Sequence, residues 1–468
     1  MLRTVVTAIC LALLPPAPAP PAAAPLPASV DAYVERYRAA TGLPGVAVAI
    51  TKGTTVVHAA GYGRTAAGEP VTPDTPMAMA SVSKSFTALA VMRLAERGRV
   101  ALDQPVRRYL PEFTMADPRA ARITVRQLLD QTSGMADSAF REKSLPQPRT
   151  LQGAVARLRT ARLATDPGTA FSYHNTNYQV AARLVEVVGG RPFADHLREN
   201  VFLPLGMRHS RTIDTDRDLP PSARGHLYVL GRAVALPEPA GFGNGSGGVL
   251  STAADMARWL IAQQAGPLSP RGVEEMRTPS RSNPEYALGW MIGRTPRGAR
   301  VLEHGGDLFT STAHQLVMPD SGYGVAVMAN TGMAYADAHT LMDGLVALIE
   351  GDAPPVPTTL PSLLTDVFFV LLTLVTVVLA ARGAARARRW ATRRTGWRRW
   401  CLLPYLAPLV VCATVVPVHR VLARGRDAAW LQLAYLYPTF MVWLVTAAAA
   451  CLVLVLARLW CAARPRRG

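Results

Sequence analysis

Between residues 11 and 400 the chain has no cysteine; its five are Cys10, Cys401, Cys412, Cys451 and Cys461. That long stretch therefore has no disulfide, thiol nucleophile or Cys-ligated metal, and an ordinary hydrophobic core must hold it together. No HExxH or Walker A sequence occurs, and the nine histidines show no close metal-ligand spacing, so no cofactor is expected. Ser246 lies in Asn-Gly-Ser-Gly-Gly, which lacks the first glycine of a G-x-S-x-G elbow. Acids are scarce in one region only. From Val356 onward there are 15 arginines against Asp366 and Asp427, so most of the formal net charge of +18 lies there. A basic excess confined to apolar blocks fits the positive-inside rule rather than a nucleic-acid partner, and no nucleic acid is expected.

The apolar residues divide the chain. Arg3 and the run Val5 to Leu14 read as a secretory signal, too short to span a bilayer, and a Pro/Ala tract continues to Ala28. Residues 1–28 are thus signal and spacer, 29–351 a globular domain, and 352–362 a Pro-rich linker. Residues 363–460 hold three apolar segments: Leu363 to Ala381, Trp400 to Val418 and Trp430 to Leu456. Asp366 is expected at the membrane interface, and residues 461–468 form a basic tail. The loop Arg382 to Arg399 has eight arginines and the tail region has Arg458, Arg464, Arg466 and Arg467. The loop between the second and third segments has Arg420, Arg424 and Arg426 with Asp427. The first loop and the tail are therefore expected in the cytoplasm, which leaves the globular domain outside a cell membrane crossed several times. The membrane segments read as an anchor, because the second and third spans carry no acid or base that marks a transport path.

Within the globular domain, Val30 to Ala40 has the spacing of an amphipathic helix ending at Gly42. Gly45 to Thr51 and Thr55 to Ala60 read as strands joined by a turn at Gly53. Val301 to His304, His314 to Met318 and Tyr323 to Met328 are further strands, and Ala334 to Ile349 a closing helix. Strands at both ends with helices between them predict an α+β fold, with one antiparallel sheet completed by both ends of the domain and flanked by helices.

The chemistry centres on Met79 to Arg97, where Phe86, Leu89, Ala90 and Leu94 follow helical spacing. A helix starting near Ser81 puts Lys84 one turn later on the same face. The helix start offers free N–H groups where an oxyanion would form, and a desolvated lysine there can take the serine proton. Two further groups follow: Tyr173-His174-Asn175 within Phe171 to Tyr178, and Leu302 to Gly306, which reads Leu-Glu-His-Gly-Gly.

Ser81-x-x-Lys84, Tyr173-x-Asn175 and His304-x-Gly306, in this order, resemble the three motifs of class C β-lactamases, serine DD-peptidases and related esterases. The phrases Ile123 to Met135, Val201 to Met207, Gly243 to Leu260 and Tyr286 to Trp290 resemble the same superfamily, and the likeness runs from about Ser29 to Ile349. It implies the β-lactamase/transpeptidase fold, in which an all-helical domain accompanies the sheet. By the same resemblance Ser81 attacks an acyl carbon, Lys84 keeps it activated and Tyr173 relays protons. Asn175 would bind the substrate amide and orient Lys84. His304 takes the place of the third-motif lysine, Gly305 and Gly306 line the substrate, and the N–H groups of Ser81 and Asp307 form the oxyanion hole. Gly305 replaces a usual hydroxyl residue, and Leu308-Phe309-Thr310 replaces a glycine-rich stretch. Recognition of penicillins or a free D-Ala end is thereby weakened. The implied substrate is a small peptide or ester, peptidoglycan stem peptides included. A non-catalytic receptor for cell-wall fragments or β-lactams and an acyl transferase or peptide cyclase stand as alternatives.

Overall fold

In the computed structural model, which describes residues 25–355, 357–393 and 396–463, the strand Gly45–Lys52 is buried on both faces. The signal segment, Arg394 and the tail arginines Arg464, Arg466 and Arg467 lie outside the described residues. Along this strand Val46, Val48 and Ile50 join one core with Tyr33, Val34, Leu341 and Leu345. Ala47 and Ala49 point the other way, into a core with Phe86, Leu89 and Trp259. The period of two thus sorts branched residues towards the helices Leu26–Thr41 and Asp337–Glu350, and small ones towards the helix Ala253–Ala265 that carries Trp259.

Six antiparallel strands make the sheet, in the spatial order Thr55–Gly63, Gly45–Lys52, Tyr323–Ala329, Thr312–Met318, Arg300–Asp307, Met291–Arg294. The register runs from Val46 opposite Ala329 to Lys52 opposite Tyr323, so the two ends of the domain meet in mid-sheet as the sequence predicts. The intervening chain supplies the helical part, including Ser83–Glu96, Leu151–Ala156 and Asn175–Gly189.

The Ser83–Glu96 helix is fixed to the sheet by one polar chain inside the larger core. Trp259 Nε1 donates to Gln315 Oε1 at 2.8 Å, and Gln315 Nε2 donates to Ser85 Oγ at 2.9 Å. The Trp259 ring lies 4.1 Å from that of Phe86, centroid to centroid. Replacing Trp259 by alanine leaves a large void and an unpaired Gln315. A loss of about 3–5 kcal/mol is expected, measurable as a large drop in the thermal midpoint of the purified protein.

Among the described residues, three helices are long and apolar enough to cross a membrane: Leu360–Ala385, Trp400–Leu422 and Pro438–Ala463, with mean hydropathies of 2.5, 2.1 and 2.6. Their bounds correct the sequence reading in two places. The first begins at Leu360, inside the tract assigned to the linker. The segment expected to run unbroken from Trp430 is divided, with a short helix at Trp430–Leu436 and the long one starting at Pro438. A proline disfavours helical geometry in the residue before it, and Tyr437 sits at φ −135°. Near the start of the first of these helices, Asp366 is buried and accepts from Leu230 N–H at 2.8 Å and from Thr439 Oγ1 at 2.7 Å.

Candidate active site

Ser81 stands at a kink. Ala80 has φ 46°, in the left-handed region that residues with a Cβ seldom enter. The chain turns there from the short strand Met77–Ala78 into the 3₁₀ turn Ala80–Val82, and the α-helix proper runs from Ser83 to Glu96. The helix expected from Ser81 thus has a tighter first turn, which leaves Ser81 half-buried at its entrance.

Lys84 is fully buried and returns towards Ser81. Its Nζ lies 3.0 Å from Ser81 Oγ, 2.9 Å from Asn175 Oδ1 and 2.8 Å from the Ser246 carbonyl oxygen. Burial pulls the pKa of this amine well below the usual lysine value, against the opposing pull of the Glu142 carboxylate. Glu142 also sets Asn175: Asn175 Nδ2 donates to Glu142 Oε1 at 2.7 Å, and Thr176 Oγ1 donates to Oε2 at 3.1 Å. With the amide nitrogen held this way, its oxygen must face Lys84.

The Tyr173 ring centroid is 4.8 Å from Lys84 Nζ. Burial pushes the Tyr173 hydroxyl upward in pKa, and its hydrogen bond with Ser81 opposes this. His304 is buried, with Nδ1 2.7 Å from the Gly305 carbonyl and Nε2 3.2 Å from the Tyr286 hydroxyl. A carbonyl only accepts, so Nδ1 carries the proton and Nε2 accepts from Tyr286. Burial, followed by the charge of Lys84, lowers the His304 pKa to about 3. The imidazole is therefore neutral, unlike the lysine whose place it takes.

Two glycines of the third motif answer to close packing. A Cβ on Gly305 would come within 2.5 Å of the His339 ring, so the usual hydroxyl residue could enter only if that ring moved. A Cβ on Gly306 would run into the Met79 carbonyl and come within 3.2 Å of Ser81 N, which places the strand edge directly against the nucleophile turn. Pairing with Met291–Arg294 ends at Glu303, leaving residues 304–307 beyond the reach of that strand. The Asp307 carboxylate is occupied by His339 Nε2 at 2.8 Å.

All eight residues singled out by sequence therefore lie together, at a cavity of about 620 Å³ lined by Ser81, Tyr173, Asn175 and His304 among others. Sequence reasoning missed Glu142, the Ser246 carbonyl, Tyr286 and Arg426. Tyr286 and Ser246 fall in phrases noted for resemblance, whereas Glu142 and Arg426 carry no local signal. Among the described residues, no group of three or more His, Cys, Asp or Glu is arranged to hold a metal ion.

An antiparallel sheet with flanking helices and a serine–lysine pair at its edge defines a β-lactamase/transpeptidase-like protein. The chain belongs to the family described as Beta-lactamase, a group of serine hydrolases, which matches residues 30–344. It is 27% identical over 319 residues to Protein flp of Staphylococcus aureus strain MW2, covering 65% of this chain and 63% of that one. This chain thus spans less than two thirds of that relative. Penicillin-binding protein 4 of Amycolatopsis lactamdurans is 29% identical over 343 residues, covering 67% of this chain and 87% of its own. The octameric penicillin-binding protein homologue from Pyrococcus abyssi superposes with a TM-score of 0.60 at 26% identity, covering 70% of this chain and 78% of its own.

Proposed function

We propose that the chain is a membrane-anchored, extracytoplasmic serine hydrolase that cleaves an amide or ester through an acyl-Ser81 intermediate. The observation that carries this reading is the buried Lys84 amine 3.0 Å from Ser81 Oγ. A lysine whose pKa burial has lowered can take the serine proton as Oγ attacks the acyl carbon. Tyr173, whose hydroxyl bonds Ser81, passes the proton to the leaving group, and in the second half-reaction orients the water that releases the acid. The N–H groups of Ser81 and Asp307 stabilise the oxyanion. His304 acts as a neutral, oriented ring rather than as a cation. D-amino peptides, cell-wall stem peptides and small esters are the substrate class.

Sidedness rests on the arginine-rich first loop and on the loop at Arg426, which meets the catalytic domain and so shares its side of the membrane. The test uses the full-length protein in detergent. Intact mass is recorded after exposure to a short acyl ester and, separately, to a β-lactam, with Ser81→Ala as control. An acyl adduct or turnover that vanishes in Ser81→Ala is expected. Turnover retained by the alanine variant sinks the assignment.

A further inference from the structure

Part of the cavity wall comes from the membrane region. The loop between the second and third membrane helices docks on the catalytic domain through a buried anchor, Asp427, whose side chain is fully enclosed. Asp427 accepts from Ser144 N–H at 2.8 Å and Ser144 Oγ at 2.7 Å, and its own N–H donates to Asp137 Oδ2 at 3.0 Å. Tyr435 O–H donates to the Pro237 carbonyl at 2.8 Å, and the first span joins through Asp366 and Leu230. A buried carboxylate with this many donors is a built contact, since leaving it unpaired would be costly.

This docking sets Arg426. Its Nη1 donates to the Tyr173 carbonyl at 2.7 Å, and the guanidinium lies 5.4 Å from the Tyr173 ring centroid. Nη1 is 3.6 Å from Asp137, yet 44% of the side chain stays open and it lines the cavity together with Lys143. A guanidinium has five donors in a planar fork, so one bond to a carbonyl leaves it able to grip a carboxylate.

The cavity also contains acids, and most are already engaged. Glu142 receives Asn175 and Thr176, Glu303 receives His314, and Asp307 receives His339. Glu238 accepts from the N–H groups of Phe309 and Thr310 and from Thr310 Oγ1. Asp216 lies beside Glu238, and burial raises the pKa of both, Glu238 to about 7. The third motif offers an anion nothing: His304 spends its donor on the Gly305 carbonyl, and His339 fills the space of a hydroxyl at 305.

We propose that Arg426, delivered by the loop between the second and third membrane helices, is a substrate-binding residue that takes a carboxylate on the substrate, the role the third motif has given up. The membrane helices are then part of the active site rather than an anchor alone. The proposal rests on the acyl-serine reading, so the test separates binding from turnover. In full-length protein carrying Ser81→Ala, calorimetry measures binding of acetyl-D-alanyl-D-alanine and of its C-terminal amide. Tighter binding of the carboxylate is expected, with the preference falling about tenfold in Arg426→Gln and partly recovering in Arg426→Lys. In protein with Ser81 intact, kcat/KM for a matched carboxylate and neutral ester should show the same selective loss, carried by KM. An equal loss for both partners would reduce Arg426 to a support for Tyr173 and overturn the proposal, as would an unchanged preference. Binding selectivity that depends on Arg426, in a protein that turns over neither ester, would leave this inference standing and remove the acyl-serine reading instead.

Discussion

Exchange of Lys84 for methionine is expected to lower kcat/KM for any ester the protein hydrolyses by roughly 10³-fold, within the range of one general base. Methionine nearly matches the lysine stem in volume, so the change removes the amine and leaves the packing largely intact. The pH profile carries the sharper information. Lys84 accepts the Ser81 proton only when neutral, and burial favours that neutral form. Activity should therefore rise with pH as the amine loses its proton, along a limb below the usual lysine value of 10.5, and fall as lower pH protonates it. Tyr173 is displaced the other way by its burial, so a tyrosinate is not the source of this limb. Tyr173→Phe should slow turnover and keep the limb, whereas Lys84→Met should erase it. The measurement is kcat/KM against pH for the three proteins. A limb that survives in Lys84→Met would place the base elsewhere.

The sequence made the catalytic centre legible where chemistry is written in short spacings. Ser81 and Lys84 are one helical turn apart, so periodicity puts that pair on one face, whereas Tyr173 and Asn175, at the start of another helix, were picked out by the resemblance of their motif. The central strands were legible for a similar reason, because Val46, Val48 and Ile50 alternate with alanines. What stayed hidden depends on contacts between distant segments. Glu142 meets Asn175 across 33 positions, and Arg426 meets the Tyr173 carbonyl across 253. Neither stands in a pattern that differs from a solvated charge. Asp427 and Asp366 look like ordinary interfacial acids until Ser144 and Leu230 are seen to donate to them. The departure at Gly305 was visible, but its cause was not: the His339 ring that fills the space belongs to the closing helix. The break before Pro438 follows from a local rule, yet the hydropathy of Trp430 to Leu456 ran across it.

A single methyl group at Gly306 should have an effect nearly as large as the loss of Lys84. Its Cβ would strike the Met79 carbonyl, a backbone atom with little freedom, and would press on Ala80 Cβ at 3.1 Å and Ser81 N at 3.2 Å. Relief requires the strand Arg300–Asp307 and the nucleophile turn to separate, and these carry the two N–H groups assigned to the oxyanion. Displacing one such donor costs about 10²–10³ in kcat, because hydrogen bonds aimed at developing charge weaken steeply with misplacement. KM should move less, since the ground-state carbonyl makes weaker demands on that geometry. Overpacking of this kind also destabilises by roughly 1–3 kcal/mol, so the thermal midpoint is read alongside the rate. Gly305→Ala is the comparison that isolates the cause. There the added methyl meets the His339 ring, a side chain that can rotate aside, and it points away from the nucleophile turn. Gly305→Ala should therefore retain most of kcat, while Gly306→Ala loses it. Equal losses in the two variants would mean that the strand edge tolerates no side chain anywhere, and that its distance from Ser81 N is not what sets the rate.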